Sequence, residues 1–217
     1  MRKTRHRRRR RLNPRFLVLC CCMTVLLAGL VWSVWTRLYP DGEGVVLPDY
    51  VEPMLLTENP YSRPGTELRD IRGVVIHYVG NPNTTAKANR SYFESLKSGK
   101  TGVMASSHFI VGLEGEVIQC IPLTEVAYAS NQRNGDTVAI EVCHPDEGGQ
   151  YSAVTYDRVV ELTAWLCKTF RLDPAEDVIR HYDVTGKICP RYYAEHPEAW
   201  ETLRKDVAKA MEKEALE

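Results

Sequence analysis

Apolar positions along this chain fall into short runs, and the period within each run sets the elements expected. Residues 16–35, FLVLCCCMTVLLAGLVWSVW, hold no charge at all. At ~1.5 Å per residue, a helix of that length covers roughly 30 Å, the depth of a bilayer core. Over residues 36–70 the periodicity disappears and five prolines interrupt the chain (Pro40, Pro48, Pro53, Pro60, Pro64). That stretch predicts a stalk over 36–58 and a turn-rich lead into a domain beginning at residue 59. From residue 72 strand-like and helix-like patterns alternate. Val74–Tyr78 reads as a buried strand, and Ala86–Lys97 as a helix stopped by Ser98-Gly99. Ser107–Val111 and Glu116–Ile121 form a hairpin around residues 112–115. Val138–Cys143 is a further apolar strand. Tyr156–Phe170 is a helix with Val159, Leu162, Thr163, Leu166 and Phe170 on one face. Val178–Arg180 is a short strand, and Pro197–Lys213 a closing helix. The expected fold is α/β (α+β): a single domain over 59–217, with a mixed central β-sheet flanked by helices.

Charge changes this picture through its distribution. The formal net charge is zero, yet nine of the 28 Lys and Arg lie in residues 1–15, which contain no acid; residues 16–217 keep 19 basic against 28 acidic side chains. A basic run beside an apolar span sets topology, with Lys and Arg on the cytoplasmic side. Residues 1–15 therefore read as a cytoplasmic tail and 16–35 as a single-pass transmembrane signal anchor in the cell membrane. Everything beyond is expected to be extracytoplasmic. A cleaved signal peptide has a shorter apolar core of about 7–15 residues, and Trp32 and Trp35 suit an interfacial belt. The acidic outer domain excludes a nucleic-acid partner. Of seven cysteines, three lie in the apolar span. Cys120, Cys143 and Cys167 read as small buried thiols, and Cys189 stands apart.

Candidate chemistry gathers at the ends of the strands. His77 closes the run Val74-Val75-Ile76. His181 and Cys189 follow the strand Val178–Arg180, eight positions apart. Three protein ligands and one open position describe a catalytic zinc, whereas structural zinc takes four. Glu141 interrupts the apolar strand Val138–Cys143; burial would push its pKa toward that of a useful general base. Lys187, two residues before Cys189, could hold a developing oxyanion. Other readings stay open. Cys189 and a histidine also suit a nucleophilic pair. Taken singly, His77 reads as a strand-end histidine, Glu141 as an ion-pair partner and Lys187 as a loop lysine. His108 could face the cleft or sit in the core, His144 is a candidate neighbour of the ligands, and His196 reads as structural.

Four segments carry a resemblance: Val75-Ile76-His77-Tyr78, Ser106-Ser107-His108-Phe109-Ile110-Val111, Ala139-Ile140-Glu141-Val142, and His181 through Pro190 (HYDVTGKICP). In this order they resemble the type 2 zinc-dependent N-acetylmuramoyl-L-alanine amidases, related to peptidoglycan recognition proteins and amidase-type phage lysozymes. The resemblance spans roughly residues 59–207, and its last segment is the most specific. It implies a Zn2+ held by His77, His181 and Cys189, with catalytic help from Glu141 and Lys187. The implied reaction is cleavage of the amide between N-acetylmuramic acid and the L-alanine of the peptidoglycan stem peptide, by a monomeric catalytic domain facing the cell wall. Substrate contacts are expected from Tyr78, Ser107, His108 and Asn131. Two departures stand out. Many relatives carry Tyr where Ser107 stands, and their aromatic-His stretch reads Ala127-Tyr128-Ala129-Ser130-Asn131 here. A recognition domain that binds peptidoglycan without turnover is the alternative function.

Overall fold

The computed structural model describes residues 21–31 and 42–213. Residues 21–31 are helical. The basic tail, residues 16–20 and residues 32–35 lie outside the described residues. Among the described residues no helix is long and apolar enough to cross a membrane.

The domain is built on a six-stranded mixed sheet. Its strands are β1 (Val51–Pro53), β2 (Val74–Tyr78), β3 (Phe109–Val111), β4 (Val117–Gln119), β5 (Val138–Val142) and β6 (Val178–Arg180). They lie in the order β1-β4-β3-β5-β2-β6. Only β3 and β4, the expected hairpin, pair antiparallel; all other neighbours are parallel. β2 and β5 are apolar along nearly their whole length because parallel strands are covered on both faces. The helices are α1 (Ala86–Ser95), α2 (Ala153–Phe170), α3 (His181–Thr185), α4 (Arg191–Glu195) and α5 (Pro197–Lys213).

Side chains alternate between the two faces of the sheet. Val74, Ile76, Val138, Ile140 and Val142 join Phe109 and Val111 on one face, under Val159, Leu162 and Leu166 of α2 and Leu203 and Val207 of α5. Ile110 and Ile118 point to the other face, where Ala86 and Phe93 of α1 cover them. His77 and Glu141 occupy the alternate positions of β2 and β5, so they leave the sheet on this second face. Helix α1 packs there against β3 and β4.

Two expectations are corrected. The stalk does not extend to residue 58, because Val51–Pro53 pairs with β4 in parallel and extends the sheet edge. The segment that follows is fastened to α1. Arg90 donates to the carbonyls of Met54 (3.0 Å) and Leu55 (2.6 Å). Glu94 accepts from the backbone and hydroxyl of Thr57. Helix α2 starts three residues before the expected Tyr156, because Ser152 caps it by accepting from the Thr155 amide at 3.2 Å. Cys120, Cys143 and Cys167 are buried free thiols.

The Glu94 fastening yields a stability prediction. Burial alone would raise the Glu94 pKa, but hydrogen bonds from Lys97 and Thr57 and the nearby Arg90 outweigh it and hold the carboxylate at about 2 instead of the ordinary 4.5. A depressed folded-state pKa stabilises above the unfolded value and is lost as pH falls through the folded one. Solvent screens these partly exposed contacts, so Glu94→Gln should cost about 1 kcal/mol at pH 7. The deficit should shrink as pH falls from about 4.5 to about 2. Urea denaturation across that range checks it, and a deficit independent of pH would refute the assignment.

Candidate metal centre

Strands β2, β5 and β6 are parallel, so their carboxyl ends share one edge of the sheet. Ligands in open α/β sheets bind in the crevice outside such ends. Register sets which residues meet there. His77 lies directly opposite Glu141, and Ile76 opposite Arg180. His181, the next residue, therefore emerges beside His77, with ring centroids 4.7 Å apart.

After β6 the structure has the short helix α3, which begins at His181 itself. Asp183 accepts from the Arg180 amide (2.8 Å) and guanidinium (2.6 Å), closing the first turn. Gly186 ends the helix at φ +78°, a left-handed conformation that suits a residue without Cβ. The chain then returns, and the Tyr182 amide donates to the Cys189 carbonyl at 2.8 Å. This small loop is what places Cys189 beside His181.

One ligand atom from each of His77, His181 and Cys189 lies within 4.8 Å of the others, and all three residues are buried. His77 Nδ1 stands 3.9 Å from Cys189 Sγ. Zinc bonds of ~2.0–2.3 Å would place tetrahedral donors roughly 3.3–3.7 Å apart. The trio is thus about an ångström wider than a loaded site, within the reach of small side-chain rotations. Its electrostatics suit a cation. Burial, then His181 and Lys187, push the His77 pKa far down, so the imidazole is neutral with a free lone pair. Burial and Lys187 lower His181 as well. Burial and Glu141 push the Cys189 thiol up to about 12, against the opposing Tyr78 amide and Lys187. Only a strong local positive charge would keep it a thiolate near neutral pH.

Glu141 Oε2 is sealed from solvent and has no hydrogen-bond partner. Burial raises its pKa to about 8, against the pull of Lys187. An orphaned buried carboxylate oxygen beside three metal-type donors fits a site completed by a cation and water. Lys187 itself is exposed, yet its charge acts on His77, Glu141, His181 and Cys189.

The expected substrate contacts are rearranged. Ser107 and His108 are buried. Ser107 Oγ donates to the Phe109 carbonyl. His108 Nδ1 accepts from the Ala139 amide while Nε2 meets the Glu125 carbonyl at 2.9 Å. Both are therefore internal fasteners, buried rather than facing the crevice. Burial lowers His108 to about 4, partly countered by its bond to Glu125. The Tyr78 ring stacks on His144 at 5.0 Å, and its amide reaches Cys189. His144 is held between the carbonyls of Val79 and Asp146. Asn131 does border the site, but through His181: its Oδ1 lies 2.9 Å from Nε2. Ser130 was not anticipated. Its hydroxyl lies 3.0 Å from His77 Nε2, and a serine between alanine and asparagine carries no sequence signal for that role.

Residues 67–192 match a family model described as N-acetylmuramoyl-L-alanine amidase. Over 152 residues the chain is 34% identical to the N-acetylmuramoyl-L-alanine amidase BlyA of Bacillus subtilis (strain 168), covering 61% of this chain and 40% of that protein. Over 161 residues it is 32% identical to CwlL of Bacillus licheniformis, named as the same kind of amidase, covering 69% and 44%. The chain thus spans less than half the length of these curated relatives. Among solved structures, the catalytic domain of XlyA aligns with TM-score 0.61 at 20% identity, over 72% of this chain and 98% of that one. The PlyG catalytic domain aligns with TM-score 0.61 at 21% identity, over 74% and 94%. At such identities the structural likeness bears on the fold.

Proposed function

Because the chain belongs to the N-acetylmuramoyl-L-alanine amidase family, we propose that it hydrolyses the amide between N-acetylmuramic acid and L-alanine in peptidoglycan, with one zinc ion held by His77, His181 and Cys189. The observation that carries this reading is the meeting of the three donors within 4.8 Å, with Glu141 in register beside His77. Two neutral imidazoles and a thiolate suit Zn2+ and leave one position open. When bound, zinc lowers the pKa of water and polarises a carbonyl oxygen.

The chain's own residues supply the remainder. Glu141 takes a proton at Oε2 from the attacking water and returns it to the departing L-alanine nitrogen. A pKa of about 8 without metal, which falls beside a dication, suits both halves of that exchange. The Lys187 ammonium stabilises negative charge as the carbonyl becomes tetrahedral. The buried walls around His77 and Cys189 exclude bulk water, which strengthens both effects.

The uncharged run over residues 16–35, behind nine basic residues, supports a single-pass membrane anchor. On this reading the monomeric catalytic domain faces the wall from the outer side of the membrane. Digestion of purified sacculi by the full chain in detergent micelles, with and without added zinc, tests bond and metal together. Mass analysis should find stem peptides with a free L-alanine amino group, and glycan strands with intact muramic acid. Cleavage within the peptide or the glycan would overturn the reading. Binding to sacculi without release of peptide by zinc-loaded protein would favour a recognition domain instead.

A further inference from the structure

We propose that Ser130 and Asn131 are positioning residues of the metal site, each fixing the tautomer and ring orientation of one histidine ligand; this rests on the zinc-site reading above. Two consecutive residues of one loop serve two imidazoles on different elements, His77 on β2 and His181 on α3. Asn131 Oδ1 stands 2.9 Å from His181 Nε2, and Ser130 Oγ 3.0 Å from His77 Nε2. An amide oxygen only accepts, so His181 carries its proton on Nε2 and keeps the Nδ1 lone pair for a metal. His77 turns Nδ1 toward Cys189 Sγ, which leaves its Nε2–H to donate to Ser130. Metal-binding histidines are commonly oriented through the ring nitrogen that does not bind.

The loop is itself held in place. Asn134 Oδ1 accepts from the amides of Ala129 (3.1 Å) and Ser130 (2.6 Å). Gln132 Nε2 donates to the Val184 carbonyl at 2.8 Å, tying the loop to the helix that carries His181. Ser130 is 1% exposed. Asn131 sits at φ +52°, a conformation that non-glycine residues seldom adopt and that persists where the surroundings impose it. That backbone turn is what directs consecutive side chains to two different rings.

The test uses the full chain in detergent micelles. Zinc affinity is read by competition with a chromophoric chelator, ligand geometry by the visible spectrum after cobalt(II) loading, and tautomer state by 15N imidazole spectra of metal-free protein. Asn131→Gly suits the left-handed backbone while deleting the acceptor. It and Ser130→Ala should each weaken zinc binding by ~10–100-fold and alter the cobalt spectrum. In metal-free Asn131→Gly, His181 should lose its pure Nε2–H pattern. Asn131→Asp keeps an acceptor and should bind zinc as the parent does. Parent-like affinity and cobalt spectra in both deletions would overturn the proposal while leaving the zinc site intact. Failure of the parent to take up zinc or cobalt would overturn the site and this inference together.

Discussion

Cys189→Ser should abolish zinc uptake and lower the rate of stem-peptide release by at least about 10³-fold, since a bound metal supplies several kcal/mol of transition-state stabilisation. The thiol is 2% exposed, and serine is nearly isosteric, so the fold should survive. The hydroxyl does not ionise near neutral pH and is a poor zinc ligand beside two imidazoles. A second substitution separates ligand from nucleophile. Cys189→Asp restores an anionic donor that zinc accepts, so it should regain metal and a measurable part of the activity. A cysteine nucleophile would be lost in both variants. The buried thiol, pushed up to about 12, and the depressed His77 pKa both weigh against a thiolate–imidazolium pair. Metal analysis alongside peptide release checks the set. Full activity of Cys189→Ser, or inactivation by a thiol alkylator but not by a chelator, would remove zinc from the reading.

How far the site was legible depended on whether its determinants were local. The apolar runs of β2 and β5 announced buried strands, and His77 and Glu141 stood out as polar residues within them. That these two face each other is a matter of register, which no single run contains. The strand order, with the β3–β4 hairpin inserted between β1 and β5, is non-local for the same reason. β1 escaped notice because three residues, one of them Pro53, give no period; an edge position tolerates that proline. The sequence left Ser106-Ser107-His108 on a strand, with His108 either facing the cleft or in the core. It is buried because backbone groups of Phe109, Ala139 and Glu125 satisfy Ser107 and His108. The helix at His181 was hidden because its first turn is closed by Arg180 and Asp183, a pair that also reads as ordinary loop charge.

Glu141→Gln should separate binding from chemistry. The amide nearly matches the carboxylate in shape, and the three metal donors are untouched, so zinc content should equal that of the parent. The rate of amide cleavage should fall by about 10²–10⁴-fold, the usual contribution of a positioned general base, with little change in KM. The parent's kcat should rise with pH as Glu141 loses its proton, and the variant should lack that limb. Metal-free protein offers an independent check. Burial lifts the Glu141 pKa from the ordinary 4.5 to about 8, against Lys187. Between those values the folded state holds a proton that the unfolded state has lost, so stability declines as pH rises through that window. Glu141→Gln removes that decline, and its metal-free form should be the more stable of the two at pH 8. Unchanged kcat in a zinc-replete Glu141→Gln enzyme would assign the proton transfer to another group. A loss of zinc in that variant would instead make Glu141 part of the metal's own support.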